Sequence, residues 1–237
     1  MKQISIIIPC YNEEENLKHI IEKSENLFEK NNDIEVILVD NGSTDNTYEM
    51  LKEILNGRQH FIKLIRVRSN IGYGHGIMSG VNSASGEVIA WTHADLQTDP
   101  IDVIAAFQVF INHPQFPKCI MKGRRVGRKF FDTMFTVGMS LLSSFLLRVS
   151  LSDVNAQPKM FHRDFLKKLP KPPLDFSLDL YLLYQARVHN YPILEHQVSF
   201  GKRLFGESKG GGTLKGKLKL IQRTWKYMLK LKLELKP

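Results

Sequence analysis

The chain has 237 residues, of which 43% are hydrophobic and 24% are charged; this globular composition excludes wholesale disorder, a collagen and a coiled-coil rod. The length favours one large domain over two small ones. Residues 1–117 hold 9 Lys and Arg against 16 Asp and Glu, and residues 118–237 hold 24 against 8, so the halves carry −7 and +16. One side of the molecule is therefore expected to face anions, whether phosphates, nucleic acid or acidic lipid.

The cysteine pattern argues against cross-links. Cys10 and Cys119 form no C-x-x-C pair and the eight histidines have no regular spacing, so neither a disulfide framework nor a structural zinc site is expected. The apolar run at residues 4–10 is too short for a secretory signal. Residues 133–147 fall short of the roughly 18 uncharged apolar residues of a membrane span. These features predict a cytoplasmic protein with a buried or interfacial apolar segment.

Short β-rich runs alternate with helical patterns in the first half. Strands are predicted at 4–8, 35–39, 62–67 and 87–92, followed in turn by helices at 14–30, 45–55, 73–84 and 100–112. Such β-α units predict a parallel sheet, which binds its ligands in the loops at the carboxyl ends of its strands. The site is therefore expected in loops 9–13, 40–45, 69–76 and 93–99.

The second half changes character after a predicted fifth strand at 119–122. A basic run and an apolar segment at 130–149 precede a predicted helix at 175–190, a strand at 192–200 and a last helix from Leu214. One face of the last helix carries Leu214, Leu218, Ile221, Trp225, Met228 and Leu229, beside a stripe of Lys215, Lys219, Arg223, Lys226 and Lys230. This pattern is typical of a helix docked on its own domain or lying on a membrane surface. No recognition motif accompanies the charge, so nucleic acid is not an expected partner.

The first three predicted loops hold side chains that suit a nucleotide. Pro9, Tyr11 and Glu13 combine a strand end, an aromatic ring and a carboxylate, although the same residues are ordinary at a helix start. Asp40 ends the second strand and is a stronger candidate than the Ser, Thr and Asp residues after it. Asn70, Gly72 and Gly74 form a glycine turn able to cradle phosphate, out of register with G-x-G-x-x-G.

The fourth loop has metal-ligand chemistry. His93, Asp95 and Gln97 occupy alternate positions, so their side chains would point the same way if the chain were extended. Asp and Gln oxygens suit Mg²⁺ or Mn²⁺, and His tolerates Mn²⁺.

Taken in order, these loops resemble the motifs of family-two glycosyltransferases of GT-A fold, in particular the dolichyl-phosphate mannosyltransferase-like branch that acts on polyprenyl phosphates. Residues 9–14 resemble P-x-Y-N-E-E, residues 40–45 resemble D-D/N-G-S-x-D, residues 70–74 resemble N-x-G-x-G, and residues 93–97 stand where the family has D-A-D-L-Q. The resemblance continues in the basic half, where residues 123–125 look like G-S-R, residues 153–161 take the place of D-x-x-x-G-F-R-x-Y, and residues 203–209 resemble R-x-G-x-S-K.

The resemblance implies an α/β GT-A fold, with a Rossmann-like, mostly parallel sheet flanked by helices and with amphipathic interfacial helices. The domain would span 1–210, with a nucleotide-sugar half (1–117), an acceptor half (118–210, including the apolar segment) and a basic amphipathic helix at 213–237. The resemblance assigns donor binding to Pro9, Tyr11, Glu13, Asp40, Asn70, Gly72, Gly74 and His93. It assigns the binding of a Mg²⁺ or Mn²⁺ ion to Asp95, Gln97 and His93. Catalysis falls to Asp95, Arg125, Arg203 and Lys209, and the acceptor side to Lys159, Ser208 and Asp179.

Two departures from the family pattern bear on the chemistry. His93 replaces the first Asp of the metal motif, which leaves Asp95 as its carboxylate and puts the need for a metal in question. Lys159 stands where the family has Arg, and Lys does not reproduce a bidentate phosphate clamp.

The expected activity is inverting transfer of a hexose from a nucleotide-diphosphate sugar to a polyprenyl phosphate, on the inner face of a membrane to which the protein binds peripherally. A membrane-protein partner or a homo-oligomer is compatible with it. Transfer to a sugar hydroxyl in a surface polysaccharide is the enzymatic alternative, with Asp175 or Asp179 as the base. An inactive nucleotide-sugar-binding domain, disabled by His93, is the alternative outside the enzymes.

Overall fold

The computed structural model describes residues 3–28, 33–56, 62–95, 97–127, 130–199, 201 and 214–234. Within them, seven strands form one sheet in the order β3-β2-β1-β4-β6-β5-β7. The strands are β1 Ile4–Cys10, β2 Ile34–Asp40, β3 Ile62–Arg66, β4 Val88–Trp91, β5 Ile120–Val126, β6 Lys159–His162 and β7 Ile193–Ser199. The helices are α1 Leu17–Phe28, α2 Thr47–Ile54, α3 Tyr73–Ser83, α4 Pro100–Ile111, α5 Phe130–Leu147, α6 Leu178–Val188 and α7 Leu214–Glu234, with 3-10 turns at Glu14–Asn16 and Arg163–Lys168.

The sheet is mostly parallel, as the sequence predicts. Strand β1 pairs in parallel with β2 and β4, β2 pairs in parallel with β3, and β5 pairs in parallel with β7. Strand β6 was not predicted, and it runs antiparallel between β4 and β5. It has only four residues, so its existence depends on the two neighbours that satisfy its backbone groups rather than on a local pattern.

The sheet is buried on both faces, which explains the nearly continuous apolar sequence of its central strands. One face packs against α1, α2 and α4 through residues such as Ile6, Leu38 and Phe110. The opposite face packs against α3, α6 and the ends of α5 and α7, and it holds Trp91 and Met228. Because helices cover both faces of the sheet, a ligand can bind only at the ends of the strands.

Two elements, β5 and α6, have different bounds in the structure from those predicted, and the differences change where candidate site residues lie. Strand β5 runs past Lys122 to Val126 because β7 continues beside it, and Arg125 pairs with Val198. Arg124 and Arg125 are therefore strand residues, not loop residues. Helix α6 starts at Leu178, because the Asp175 carboxylate accepts a hydrogen bond from the Ser177 N–H (2.9 Å) and turns the chain before the helix.

The last helix docks on its own domain, and its predicted apolar face is only partly correct. Met228 and Leu231 are buried in the same core as Leu146 and Leu147 of α5. Trp225 and Leu229 share the predicted face with Met228 but remain 37% and 39% exposed. The docked face is therefore rotated toward Leu231, and part of the apolar stripe stays at the surface.

Among the described helices, none is apolar over enough of its length to cross a membrane.

Gly123 lies where β5 closely approaches the loop before β6, and a substitution at this glycine tests that contact. A Cβ atom at this glycine would lie 2.0 Å from the carbonyl oxygen of Gln157, whereas one at Gly138 in α5 would meet no described atom within 4 Å. We expect Gly123→Ala to lower the free energy of unfolding by about 2 kcal/mol, because backbone must move. Gly138→Ala is expected to be neutral or to stabilise by up to about 1 kcal/mol. Urea unfolding measures both; equal values would contradict the close approach.

Candidate functional site

The first two loops are tied together at the ends of β1 and β2. The backbone N–H of Asn12 donates to the Ser43 hydroxyl (3.1 Å), and the Asn12 side-chain oxygen accepts from the Thr44 N–H (2.9 Å). The Glu13 N–H donates to the hydroxyl of Thr47 (2.9 Å). Pro9, Tyr11 and Glu13, which were predicted to bind the donor, are half-buried in this joined segment. The structure therefore brings them to one edge with Asp40.

Asp40 is a fully buried carboxylate at this edge. Its Oδ1 accepts a hydrogen bond from the Ser43 N–H (3.0 Å), while no described group hydrogen-bonds its Oδ2. The Arg66 guanidinium lies 3.7 Å from that Oδ2 and 3.8 Å from the centre of the Tyr48 ring. A buried acceptor that still lacks a donor is the group expected to receive an N–H of a ligand. Arg66 was not identified as a site residue from the sequence. Arg66 lies opposite Asp40 in the parallel pairing of β2 and β3, and this register was the signal that could have identified it.

The glycine loop lies against another part of the chain. A Cβ at Gly72 would lie 2.2 Å from the Leu174 carbonyl oxygen, and one at Gly74 would lie 2.3 Å from that of Pro173. Gly72 also has a φ of +146°, which favours glycine. The glycines thus permit close packing of residues 173–175. Asn70 is exposed beside them, and the assignment of this loop to the donor stays a prediction.

A turn joins Asp95 to Gln97, so the condition of an extended chain, under which the alternate side chains would point the same way, is not met there. The Asp95 carboxylate accepts from the Gln97 N–H (3.1 Å), closing a turn that the extended geometry excludes. Asp95 is 5% exposed, and the Gln97 side-chain amide donates to the Gly201 carbonyl (3.1 Å). Burial lowers the pKa of His93 below its ordinary value, although Asp95 and Asp179 oppose the shift. His93 is therefore a neutral imidazole near neutral pH, the form that ligates metals.

The donor set at this turn suits a divalent cation whose remaining ligands come from a substrate. Asp95 supplies a buried carboxylate, His93 an imidazole and Gln97 an amide group. Over the described residues, no cluster of three His, Cys, Asp or Glu side chains is close enough to hold a metal by itself. Mg²⁺ and Mn²⁺ at phosphate-transfer sites are commonly bound by one or two carboxylates together with substrate phosphates, and the residues here fit that arrangement.

A buried polar hub lies directly behind the turn. Asp179, at the start of α6, accepts hydrogen bonds from the Trp91 indole N–H (3.0 Å) and from the Gln157 side-chain amide (3.0 Å). The same Gln157 amide donates to the Tyr73 hydroxyl (3.1 Å). The Lys159 ammonium lies 3.9 Å from the Asp179 carboxylate, and Lys159 is 0% exposed. Hydrogen bonds of this hub join β4, α3, α6 and the segment before β6, and the Lys159–Asp179 ion pair adds β6 itself.

Sequence reasoning found Asp179 and Lys159 but not their partners. Trp91 and Lys159 are registered opposite each other in β4 and β6, and this pairing is invisible until β6 is known. Gln157 carried one signal, since it stands where the resembled family has Gly.

Lys159 is an unusually buried cation. Burial lowers the pKa of its ammonium to about 8, and the Asp179 carboxylate opposes that shift. Lys122, opposite it on β5, is 1% exposed and is paired with Glu195 at 2.8 Å. Two lysines thus lie next to each other inside the protein, each beside one carboxylate.

Arg125 lies between this hub and the surface. Its guanidinium forms an ion pair with Asp153, and its backbone N–H donates to the same carboxylate (3.1 Å). Burial by itself would raise the pKa of Asp153, but the hydrogen bonds and charge of Arg125 hold it below its ordinary value. The pair fixes the guanidinium at the mouth of the groove described next.

An apolar groove with a cationic end opens beside Arg125. Its volume is about 960 Å³, and it lies between α5, the segment 148–153 and the ends of β5 and β7. Val137, Leu141 and Phe145 follow one another at every fourth position of α5 and are 51%, 66% and 84% exposed. Arg124, Arg125 and Arg148 also line the groove, together with the carboxylates of Asp153 and Glu195, which pair with Arg125 and Arg124, so the charged lining residues sum to +1. Arg203, Ser208 and Lys209, predicted to act nearby, lie outside the described residues.

The parallel strands β1, β2 and β4 end in loops that carry a buried acid and an Asp-containing turn, which is the place where open α/β sheets bind their ligands. The model of the family "Glycosyl transferase family 2" matches residues 5–169, and the chain belongs to this family.

Solved structures show the same fold. A mannosyltransferase from Pyrobaculum calidifontis in complex with GDP-Man and Mn²⁺ superimposes with a TM-score of 0.63 at 20% identity, over 89% of this chain and 58% of that one. Glucosyl-3-phosphoglycerate synthase from Mycobacterium tuberculosis, in complex with Mn²⁺, UDP and phosphoglyceric acid, gives a TM-score of 0.71 at 20% identity, over 100% of this chain and 80% of that one. The GT-A fold expected from the sequence is thereby confirmed.

Curated relatives are similar over part of their length. Undecaprenyl-phosphate 4-deoxy-4-formamido-L-arabinose transferases from Proteus mirabilis and Yersinia enterocolitica are 36% and 38% identical over 104 residues. Those residues are 44% of this chain and 32% of each relative, so the match covers about a third of the relatives' length.

The hub predicts a measurable titration. We expect the ammonium of Lys159 to titrate near pH 8 in the wild-type protein. In Asp179→Asn its pKa should fall further, because the carboxylate that favours the charged form is gone. Titration of ¹³C-labelled lysine by NMR measures both values, and Lys159→Arg identifies the resonance by its loss.

Circular dichroism must first show that Asp179→Asn is folded. An unchanged lysine pKa in that folded variant would contradict the coupling, and a wild-type value near 10 would contradict the burial.

Proposed function

We propose that the chain is an inverting glycosyltransferase that moves a hexose from a nucleotide-diphosphate sugar to a polyprenyl phosphate at a membrane surface. The groove beside Arg125 carries this proposal, because its apolar wall and cationic end complement a lipid with an anionic head. The relatives named as undecaprenyl-phosphate transferases support the acceptor class. Family membership supports the reaction class.

The donor nucleotide is assigned to the ends of β1 and β2. Pro9, Tyr11 and Glu13 would border the base and ribose, and Asp40 would accept an N–H of the base with Oδ2, the oxygen that no described group hydrogen-bonds. Asn70, Gly72 and Gly74 would border the nucleotide from the neighbouring loop. From there the diphosphate would cross β1 to reach the turn after β4, since β1 lies between β2 and β4 in the sheet.

The diphosphate is assigned to the turn at 93–97. Asp95, His93 and Gln97 would hold a Mg²⁺ or Mn²⁺ ion together with the phosphate oxygens, which agrees with the Mn²⁺ present in the GT-A neighbours. A bound divalent ion supplies positive charge that stabilises the departing diphosphate. Arg125 would add a guanidinium to the same charge, with Arg203 and Lys209 as further cations.

The transfer needs no strong base if the acceptor is a phosphate. A phosphate oxygen, already anionic, attacks C1 of the sugar from the face opposite the diphosphate; the new C1–O bond forms as the bond from C1 to the diphosphate oxygen breaks, and the nucleoside diphosphate leaves. The configuration at C1 inverts. Ser208 is assigned to the acceptor phosphate, and Lys159, which is 0% exposed, is assigned to the acceptor side as a positive charge behind that phosphate.

Asp179 distinguishes this proposal from transfer to a sugar hydroxyl. A hydroxyl acceptor requires a carboxylate that is open to the substrate. Asp179 is 3% exposed and is engaged by Trp91, Gln157 and Lys159. This geometry favours a role in orienting Lys159 over a role as the base.

The organisation follows from the same assignment. Residues 1–117 would bind the nucleotide sugar, residues 118–210 the acceptor, and the helix at 213–237 would assist binding to the membrane. Leu141 and Phe145 of α5, with Trp225 and Leu229 of α7, are exposed apolar side chains suited to a peripheral contact.

The reaction class is tested by the release of nucleoside diphosphate from a panel of UDP- and GDP-sugars, with Mn²⁺ or Mg²⁺ and with or without undecaprenyl or dolichyl phosphate. We expect turnover that requires the lipid phosphate and falls at least about 100-fold in Asp95→Asn. Turnover that ignores the lipid would contradict the acceptor and favour a sugar hydroxyl. Binding of a sugar nucleotide without turnover would support the inactive domain.

The membrane contact is tested on α5. We expect the double variant Leu141→Asp/Phe145→Asp to reduce cosedimentation with vesicles of anionic phospholipid and undecaprenyl phosphate at least about tenfold, because two exposed apolar anchors are replaced by anions. Val109→Asp is the matched control, since Val109 is 50% exposed on α4. Equal retention by the double variant and the control would refute the contact. Deletion of 213–237 is a poorer test, because it uncovers the core beneath Met228.

A further inference from the structure

Three aromatic rings form a short column between the protein surface and the turn at residues 93–97, to which the metal ion is assigned. Phe176 stacks on Tyr73 with ring centres 5.0 Å apart and planes 8° from parallel. The Tyr73 ring lies 5.9 Å from the ring of His93. Phe176 is 42% exposed, so it is the outer member of the column. His93 is the inner member and borders Asp95.

The column is held rigidly from both sides. The Tyr73 hydroxyl accepts a hydrogen bond from Gln157 (3.1 Å), which fixes the middle ring to the buried hub. The segment before Phe176 is fixed to the glycine loop, because the His75 N–H donates to the Leu174 carbonyl (2.9 Å). The outer ring is therefore oriented before any ligand arrives, and little side-chain entropy is lost when one binds.

The position of the column matches one part of a sugar nucleotide. The base is assigned to Asp40 at the end of β2, and the diphosphate to the turn after β4, two strands further along the sheet. The sugar would extend beyond the diphosphate toward β6 and α6. Phe176 precedes α6 and reaches the turn through Tyr73. Tyr73 and His93 thus connect the ring to the turn, next to the place left for the sugar.

We propose that the exposed face of Phe176 is the platform on which the sugar ring of the donor rests, which makes Phe176 a specificity-determining residue. This inference rests on the proposed function. Sugar rings present C–H groups on one face, and these pack on the electron-rich face of an aromatic ring. Ile71 and Leu174, in the two segments that flank the column, are 54% and 48% exposed and extend the apolar surface.

The test measures the contribution of the sugar to binding separately from that of the nucleotide. Isothermal titration measures the dissociation constant of the best sugar nucleotide in the UDP- and GDP-sugar panel and that of its matching nucleoside diphosphate, for wild type, Phe176→Ala, Phe176→Tyr and Val188→Ala. Val188 is the control, because it is a 44% exposed apolar residue at the far end of α6. We expect Phe176→Ala to weaken the sugar nucleotide about tenfold and to leave the nucleoside diphosphate unchanged. Phe176→Tyr should retain wild-type affinity for both ligands.

Two results would overturn the platform while leaving the proposed function standing. One is an unchanged affinity for the sugar nucleotide in Phe176→Ala. The other is an equal loss for both ligands, which would show that Phe176 supports the nucleotide or the loop and does not contact the sugar. A wild-type protein that binds no sugar nucleotide of the panel would remove the proposed function and the platform together.

Discussion

The buried carboxylate of Asp179 is the constraint on which the rest of the site depends. A carboxylate that is 3% exposed is costly unless hydrogen bonds and a cation compensate for its lost hydration. Trp91 at the end of β4, Gln157 just before β6 and Lys159 at the start of β6 supply that compensation. The start of α6 is thereby fixed against the ends of β4 and β6. Because Gln157 also holds Tyr73, the same contact sets the start of α3 and the turn that contains His93.

The acidic and basic halves of the chain form separate parts of the site, and Arg125 lies where they meet. The acidic half forms the loops at the ends of β1, β2 and β4, which hold the buried carboxylates of Asp40 and Asp95. The basic half supplies Arg125 and the groove lined by Arg124 and Arg148. In the proposed reaction, Arg125 belongs to both regions, because it borders the turn on one side and the groove on the other. An anionic lipid head in the groove would therefore meet the reacting sugar at this guanidinium.

The sequence predicted those features that depend on local pattern, and missed those that depend on tertiary pairing. The β-α alternation and the loops at residues 9–13 and 40–45 follow from apolar runs and turn residues, and the structure joins these loops as expected. Strand β6 is too short to carry its own signal, so the register of Lys159 with Trp91 and Lys122 stayed hidden. The same limit applies to α7, where helical periodicity gives an apolar stripe but does not show which side meets α5.

The two departures from the family pattern are linked by electrostatics. Replacing an acid by His93 removes one negative charge from the turn, because burial keeps this imidazole neutral. Lys159 replaces an arginine and lies within the electrostatic reach of both His93 and Arg125. An arginine keeps its charge at every working pH, whereas a lysine with a pKa of about 8 releases its proton more readily. Binding of a diphosphate at the turn would add negative charge within the electrostatic reach of Lys159 and raise the pKa of its ammonium further above neutral pH.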